Sequence, residues 1–161
     1  MDEQKVMKEE VFDGGIAVDS GKINVIIRNE LGEQTGVFRF NPTDVMMVKR
    51  YNEVVDKFES VMAPLVDNSD PEADPMKIMD EAGDKMIELM DYVLDGNSRE
   101  AFFNHCHPFS PVNGKFYCEH VFEAVGNFIS KKFDAEIKSM NSRVQQRAHG
   151  YRTGKHKKGD R

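Results

Sequence analysis

Hydrophobic and polar positions follow two different periods along the chain, and the changes of period mark its elements. Residues 23 to 28, Ile-Asn-Val-Ile-Ile-Arg, are rich in β-branched side chains, and Thr35 to Phe40 form a second such run after the turn Asn29-Glu30-Leu31-Gly32-Glu33. Such residues suit a pleated, half-buried surface, so the two runs predict a β-hairpin. A lone hairpin is marginal in water and is expected to lie on helices. From Asn41 the period becomes helical. Asn41 is placed to cap, Pro42 to occupy the first helical position, and Asp44 to act as a capping-box acid. Met47/Val48, Tyr51, Val54/Val55, Phe58 and Val61/Met62 then share one stripe, and Pro64 is expected to end the helix near Met62.

Residues 67 to 75 read as an acidic linker with two prolines. A second helix is predicted from its cap Asp74 and Pro75 to about Leu94, with Asp95-Gly96 as its stop. A short helix opens at Asn97 to Glu100 and carries Phe102, Phe103 and Cys106. Pro108, Pro111 and Asn113-Gly114 mark a loop. The last helix is predicted from about Tyr117 to about Met140, with Tyr117, Val121, Val125, Phe128/Ile129, Phe133 and Ile137 on one side. The fold expected is mainly α with a small N-terminal β-hairpin (α+β), its three or four helices packed as a compact bundle. Residues 1 to 20 are read as a flexible arm, 21 to 142 as the domain, and 143 to 161 as a disordered tail too polar to pack.

Composition narrows the class. The 161 residues are 39% hydrophobic, which suits one domain, but there is no Trp and 31% are charged, so the core is modest. No apolar run approaches the length of a membrane span. The start, MDEQKVMKEE, has no apolar segment behind it and does not read as a signal peptide. Two cysteines without export signals read as reduced thiols, so a cytoplasmic location is expected. The net charge of −6 is uneven. Residues 143 to 161 set seven cations against the single acid Asp160, a net +6, so the remainder carries −12. That tail could attract nucleic acid, but its single aromatic, Tyr151, argues against base stacking, and an acidic protein surface is an equal target.

Candidate chemistry is sparse. The stretch NHCHPFSPVNGKFYCEH, residues 104 to 120, holds His105, Cys106, His107, Cys118 and His120. A structural zinc site wants two close ligand pairs converging on a tetrahedron, and neither spacing here is usual. Cys106 and Cys118 fall on apolar helical faces, where cysteine acts as a small hydrophobe. No metal and no cofactor is expected, and no Gly-rich phosphate loop or catalytic constellation is present in the sequence. The ten methionines say more. On the second helix Met79, Gly83, Met86 and Met90 fall within a narrow arc. Flexible Met side chains grip varied apolar helices, and the gap at Gly83 would admit a partner's side chain, which makes these four the candidate partner-binding residues. The competing reading is that the arc is simply the core face.

The layout, in which a hairpin leads through FRFNPTD into a helix and an acidic helical body ends in LMDYVLDGNSREAFFN and then HVFEAVGNFISKKF, resembles the tail assembly chaperones of long-tailed bacteriophages of Gram-positive hosts. The resemblance covers residues 23 to 140 and is carried by D-x-x-L-D-G-x-S-x-x-A-F, from Asp91 to Phe102. It implies a non-enzymatic protein of the host cytoplasm. Many copies would coat the helical tape-measure protein and keep it soluble until tail tube protein polymerises around it. It also implies homo-oligomerisation along that partner, and no membrane. Two alternatives stand beside it: a structural virion component such as a head-tail joining protein, and a small metal- or nucleic-acid-binding protein using residues 105 to 120 and the tail.

Overall fold

The computed structural model describes residues 9 to 66 and 70 to 159. Its elements are β1 (Ile23–Arg28), β2 (Gln34–Phe40), α1 (Met46–Val66), α2 (Pro75–Leu94), α3 (Ser98–Phe102), β3 (Pro111–Val112), β4 (Lys115–Phe116) and α4 (Tyr117–Gly159). The fold is mainly α with an N-terminal β-hairpin. Residues 9 to 22 lead in as an exposed segment without helix or strand.

β1 and β2 pair antiparallel from Ile23 opposite Phe40 to Ile27 opposite Gly36, and Thr35 is skipped before Arg28 meets Gln34. At the turn, Asn29 Oδ1 accepts hydrogen bonds from the backbone N–H groups of Leu31 (2.9 Å) and Glu33 (3.0 Å). The outer edge of β2 has a side-chain partner. Asn97 Oδ1 accepts from the N–H of Arg39 at 2.8 Å, and its Nδ2 donates to the carbonyl of Val37 at 3.0 Å. One amide thus copies the pairing of an adjacent strand. Gly36 lets α3 approach, since a Cβ there would stand 2.4 Å from the carbonyl oxygen of Ala101. Asn97→Ala removes both bonds and is expected to lower stability by about 1–3 kcal/mol. A urea melt that moves by less than a few tenths of a kcal/mol would contradict that role.

Two helix boundaries differ from expectation. α1 starts at Met46 because Asn41 and Pro42 make a turn of their own, in which Asn41 Oδ1 accepts from the N–H of Thr43 at 3.1 Å. Asp44 is the capping residue instead: its Oδ1 accepts from the N–H of Met46 at 2.9 Å, and its Oδ2 lies 2.9 Å from Arg50 Nη2. That hydrogen bond holds the Asp44 carboxyl below the ordinary aspartate range, against a smaller upward push from burial. Arg50 Nε also donates to the carbonyl of Val93 at 3.0 Å, joining the start of α1 to the end of α2. At the other end α1 runs through Pro64 to Val66. So near the C-terminus the missing proline N–H costs a single helical hydrogen bond and the helix is not broken.

α2 begins as predicted, with Asp74 accepting from the N–H of Met76, and ends on Asp95, which takes the left-handed conformation (φ 50°). Asn113-Gly114, read as a loop, is the turn of a second small hairpin, β3–β4. Both turn residues have positive φ (48° and 82°), as the tight two-residue hairpin turn requires.

The largest correction is α4. It does not stop near Met140 but continues through Gly159, so residues 143 to 159 of the segment expected to be disordered are helical. No proline or glycine interrupts residues 127 to 149, and Lys132 and Glu136, like Asp134 and Lys138, are opposite charges four positions apart, a spacing that favours an exposed helix. From Asp134 to Arg147 every residue is exposed. Removal of residues 143 to 161 is therefore expected to leave cooperative unfolding and the melting temperature of the body unchanged. A lost thermal transition in circular dichroism would place that segment within the folding unit.

The core lies where β2, α2, α3 and the first half of α4 meet. Phe38 packs on Phe40 (centroids 4.3 Å) and Phe102 (4.9 Å), and Phe40 reaches Phe128 on α4 (6.1 Å). α2 is the central strut, burying Met86, Ile87, Met90, Val93 and Leu94.

Candidate functional site

The four α2 residues proposed from sequence do not form an open groove. Met86 and Met90 are 1% and 0% exposed, and Met79 is half-buried against the core. Gly83 does admit a side chain, but one of the same chain. A Cβ there would come 2.9 Å from Nε2 of His107 and 3.7 Å from Pro108. The helical arc was real, and the competing core reading accounts for it.

The cysteine- and histidine-rich stretch resolves into separate structural contacts. His107 Nδ1 accepts from the N–H of Phe109 at 3.0 Å, which leaves Nε2 to carry the proton toward Asp80 Oδ1 at 3.4 Å. An imidazole so engaged is not placed to take a proton from Cys106, whose sulfur lies 3.8 Å from the His107 carbonyl oxygen. His120 Nε2 donates to the carbonyl of Val112 at 2.7 Å and fastens the small hairpin to α4. Cys118 is buried, and desolvation pushes its thiol up to about 11, so it stays protonated at neutral pH and is a poor nucleophile. Among the described residues no three His, Cys, Asp or Glu side chains gather as metal ligands.

An open apolar surface exists elsewhere, between α1 and α4. The two helices meet edge-to-face through Phe58 and Phe122, with centroids 5.2 Å apart. A trough opens on each side of that contact. One, about 250 Å³, is walled by Met47, Val48 and Tyr51 on α1 and by Gly126, Ile129 and Phe133 on α4, with Met90 and Val93 beneath. The other, about 490 Å³, is walled by Val55, Met62 and Cys118, with Met86 beneath. The buried methionines of α2 are thus the floor, and the walls come from the two flanking helices. Tyr51, Phe58 and Phe122 border both troughs, so together they make one groove along the α1/α4 seam.

Its rim is unusually apolar for a surface. Val48 and Tyr51, which line the groove, are 56% and 45% exposed, and Val45 and Met46, at the entry to α1, are 71% and 51% exposed. Contiguous exposed apolar side chains beside a concave seam mark interaction sites more often than chance exposure does. Gly126 opens the α4 wall: a Cβ there would meet nothing within 4 Å. Charge is absent from the lining of the smaller trough, whereas Glu59 and Glu119 border the larger one. Nothing lining the trough at Gly126 is titratable except Tyr51, so that trough offers shape and apolar area.

The sequence stripe Met47/Val48, Tyr51 and Phe58 marks an apolar face of α1 without saying what covers it. The missed signal was its width: with both Met47/Val48 and Tyr51 apolar, α1 carries more apolar surface than α2 alone can cover. No helix among the described residues is long and apolar enough to cross a membrane. Comparison of the chain with protein-family models, with curated proteins and with solved structures finds no match.

Proposed function

We propose that this chain is a non-enzymatic chaperone that grips an amphipathic helix of a partner in the α1/α4 groove. The observation that carries the proposal is the groove itself: apolar walls, a buried methionine floor, an exposed apolar rim and a glycine notch. An amphipathic helix laid in such a groove buries its apolar stripe against side chains spaced one turn apart. The acidic body, −12 outside the last segment, would keep a coated apolar partner in solution by like-charge repulsion between copies. The resemblance to phage tail assembly chaperones supplies the partner proposed: the tape-measure protein, a long helical chain with many apolar faces, with tail tube protein as a later contact and the host cytoplasm as the place. Many modest sites along one strand would add through avidity.

Co-expression tests this. The tape-measure protein, aggregated when made alone, is expected in the soluble fraction and to co-purify when this chain is made with it. A tape-measure protein that stays insoluble, beside soluble and folded chaperone, would overturn the assignment.

A further inference from the structure

The projecting half of α4 carries a second apolar surface, which leaves the groove at Phe133 and runs outward along the helix. Phe133, Ile137, Met140 and Val144 follow at steps of four, three and four, the spacing of a helix–helix seam. Ile137, Met140 and Val144 are 52%, 54% and 59% exposed, and the other residues from Asp134 to Arg143 are polar apart from Ala135. Among the described residues nothing buries Ile137, Met140 or Val144.

We infer that it pairs with the same stripe of a second copy of this chain, antiparallel. The seam reads the same from both ends. Ile137 lies opposite Met140 of the second copy and Phe133 opposite Val144, so all four layers are apolar on both sides. In that register the flanking position of Glu136 falls beside Arg143 of the second copy, and the two-fold axis makes this pair twice. A parallel pairing would lay the two segments 143 to 161, each +6, side by side, and bring together two bodies of −12. The antiparallel pairing instead directs each basic segment toward the acidic body of the other copy. Charge therefore selects both the occupant and its direction. Phe133 is shared with the groove wall, but neither Ile137 nor Met140 borders the groove, so substitutions at 137 and 140 test the seam without altering the groove's lining.

Light scattering after size exclusion at about 10 µM protein is expected to give twice the 18.4 kDa chain mass. Ile137→Asp combined with Met140→Asp is expected to give the single-chain mass with an unchanged melting temperature, since both side chains are exposed. Glu136→Arg alone should weaken the dimer roughly tenfold, and Glu136→Arg with Arg143→Glu should restore it to within about twofold. A wild-type monomer, or a dimer that survives the paired Asp substitutions, overturns the interface. A charge swap that fails to restore pairing overturns the antiparallel register.

Discussion

Met90→Lys is expected to unfold the protein. Met90 is fully buried and touches the core from α2 while forming the floor of the groove near Val93 and Leu94. Its loss removes about 1.5–3 kcal/mol of apolar transfer. The ammonium then has no buried partner, and the groove above it is walled by apolar side chains, so desolvation adds several kcal/mol more. Together these are comparable to the whole stability of a small domain. The expected observation is a loss of the helical signal, or a melting transition tens of degrees lower. Had Met90 faced an open groove, the variant would fold normally and fail only in binding. A Met90→Lys protein that melts like the wild type would therefore restore the sequence-based site and contradict the burial described above.

Short-range grammar was legible in the chain wherever local chemistry decides structure. The first hairpin follows from β-branched runs around a Gly32 turn, and the start of α2 from Asp74 and Pro75. Boundaries failed where two local signals competed. Asn41 and Asp44 can each accept a hydrogen bond from the backbone two residues on, and both do, so the helix begins only after the second. The polarity of the last segment of α4 hides its helix, because polarity all round a helix excludes packing, not helicity.

The site was legible only in part, for a geometric reason. A sequence stripe shows that a helix has an apolar face but not which neighbour covers it. Met86 and Met90 have one such face and α1 another, and only the three-dimensional arrangement places α2 beneath and leaves the α1/α4 seam open. The notch at Gly83 is filled by His107 from a loop twenty-four positions on, a contact that no local pattern announces. Gly126 passed unnoticed because an isolated glycine in a helical pattern has no distinctive period; its signal was the helical propensity sacrificed in the middle of a long helix.

That glycine gives the sharpest handle on binding. Gly126→Trp adds a side chain of about 150–250 Å² where a Cβ meets nothing within 4 Å, on the wall of the smaller trough. Trp is a better helix former than Gly, so the fold should be kept or slightly stabilised. The indole would occupy the space meant for a partner's apolar side chain. Displacing one such residue removes about 1.5–3 kcal/mol, roughly tenfold or more in affinity. Gly126→Ala is the control: it should raise stability by about 0.5–1 kcal/mol and leave binding intact. The deciding measurement is a titration of the tape-measure protein against wild type, Gly126→Ala and Gly126→Trp, with melting temperatures taken on the same samples. The expected result is equal affinity for wild type and Gly126→Ala, and at least roughly tenfold weaker binding by a fully folded Gly126→Trp. Equal affinity for all three folded proteins would contradict the groove as the binding site.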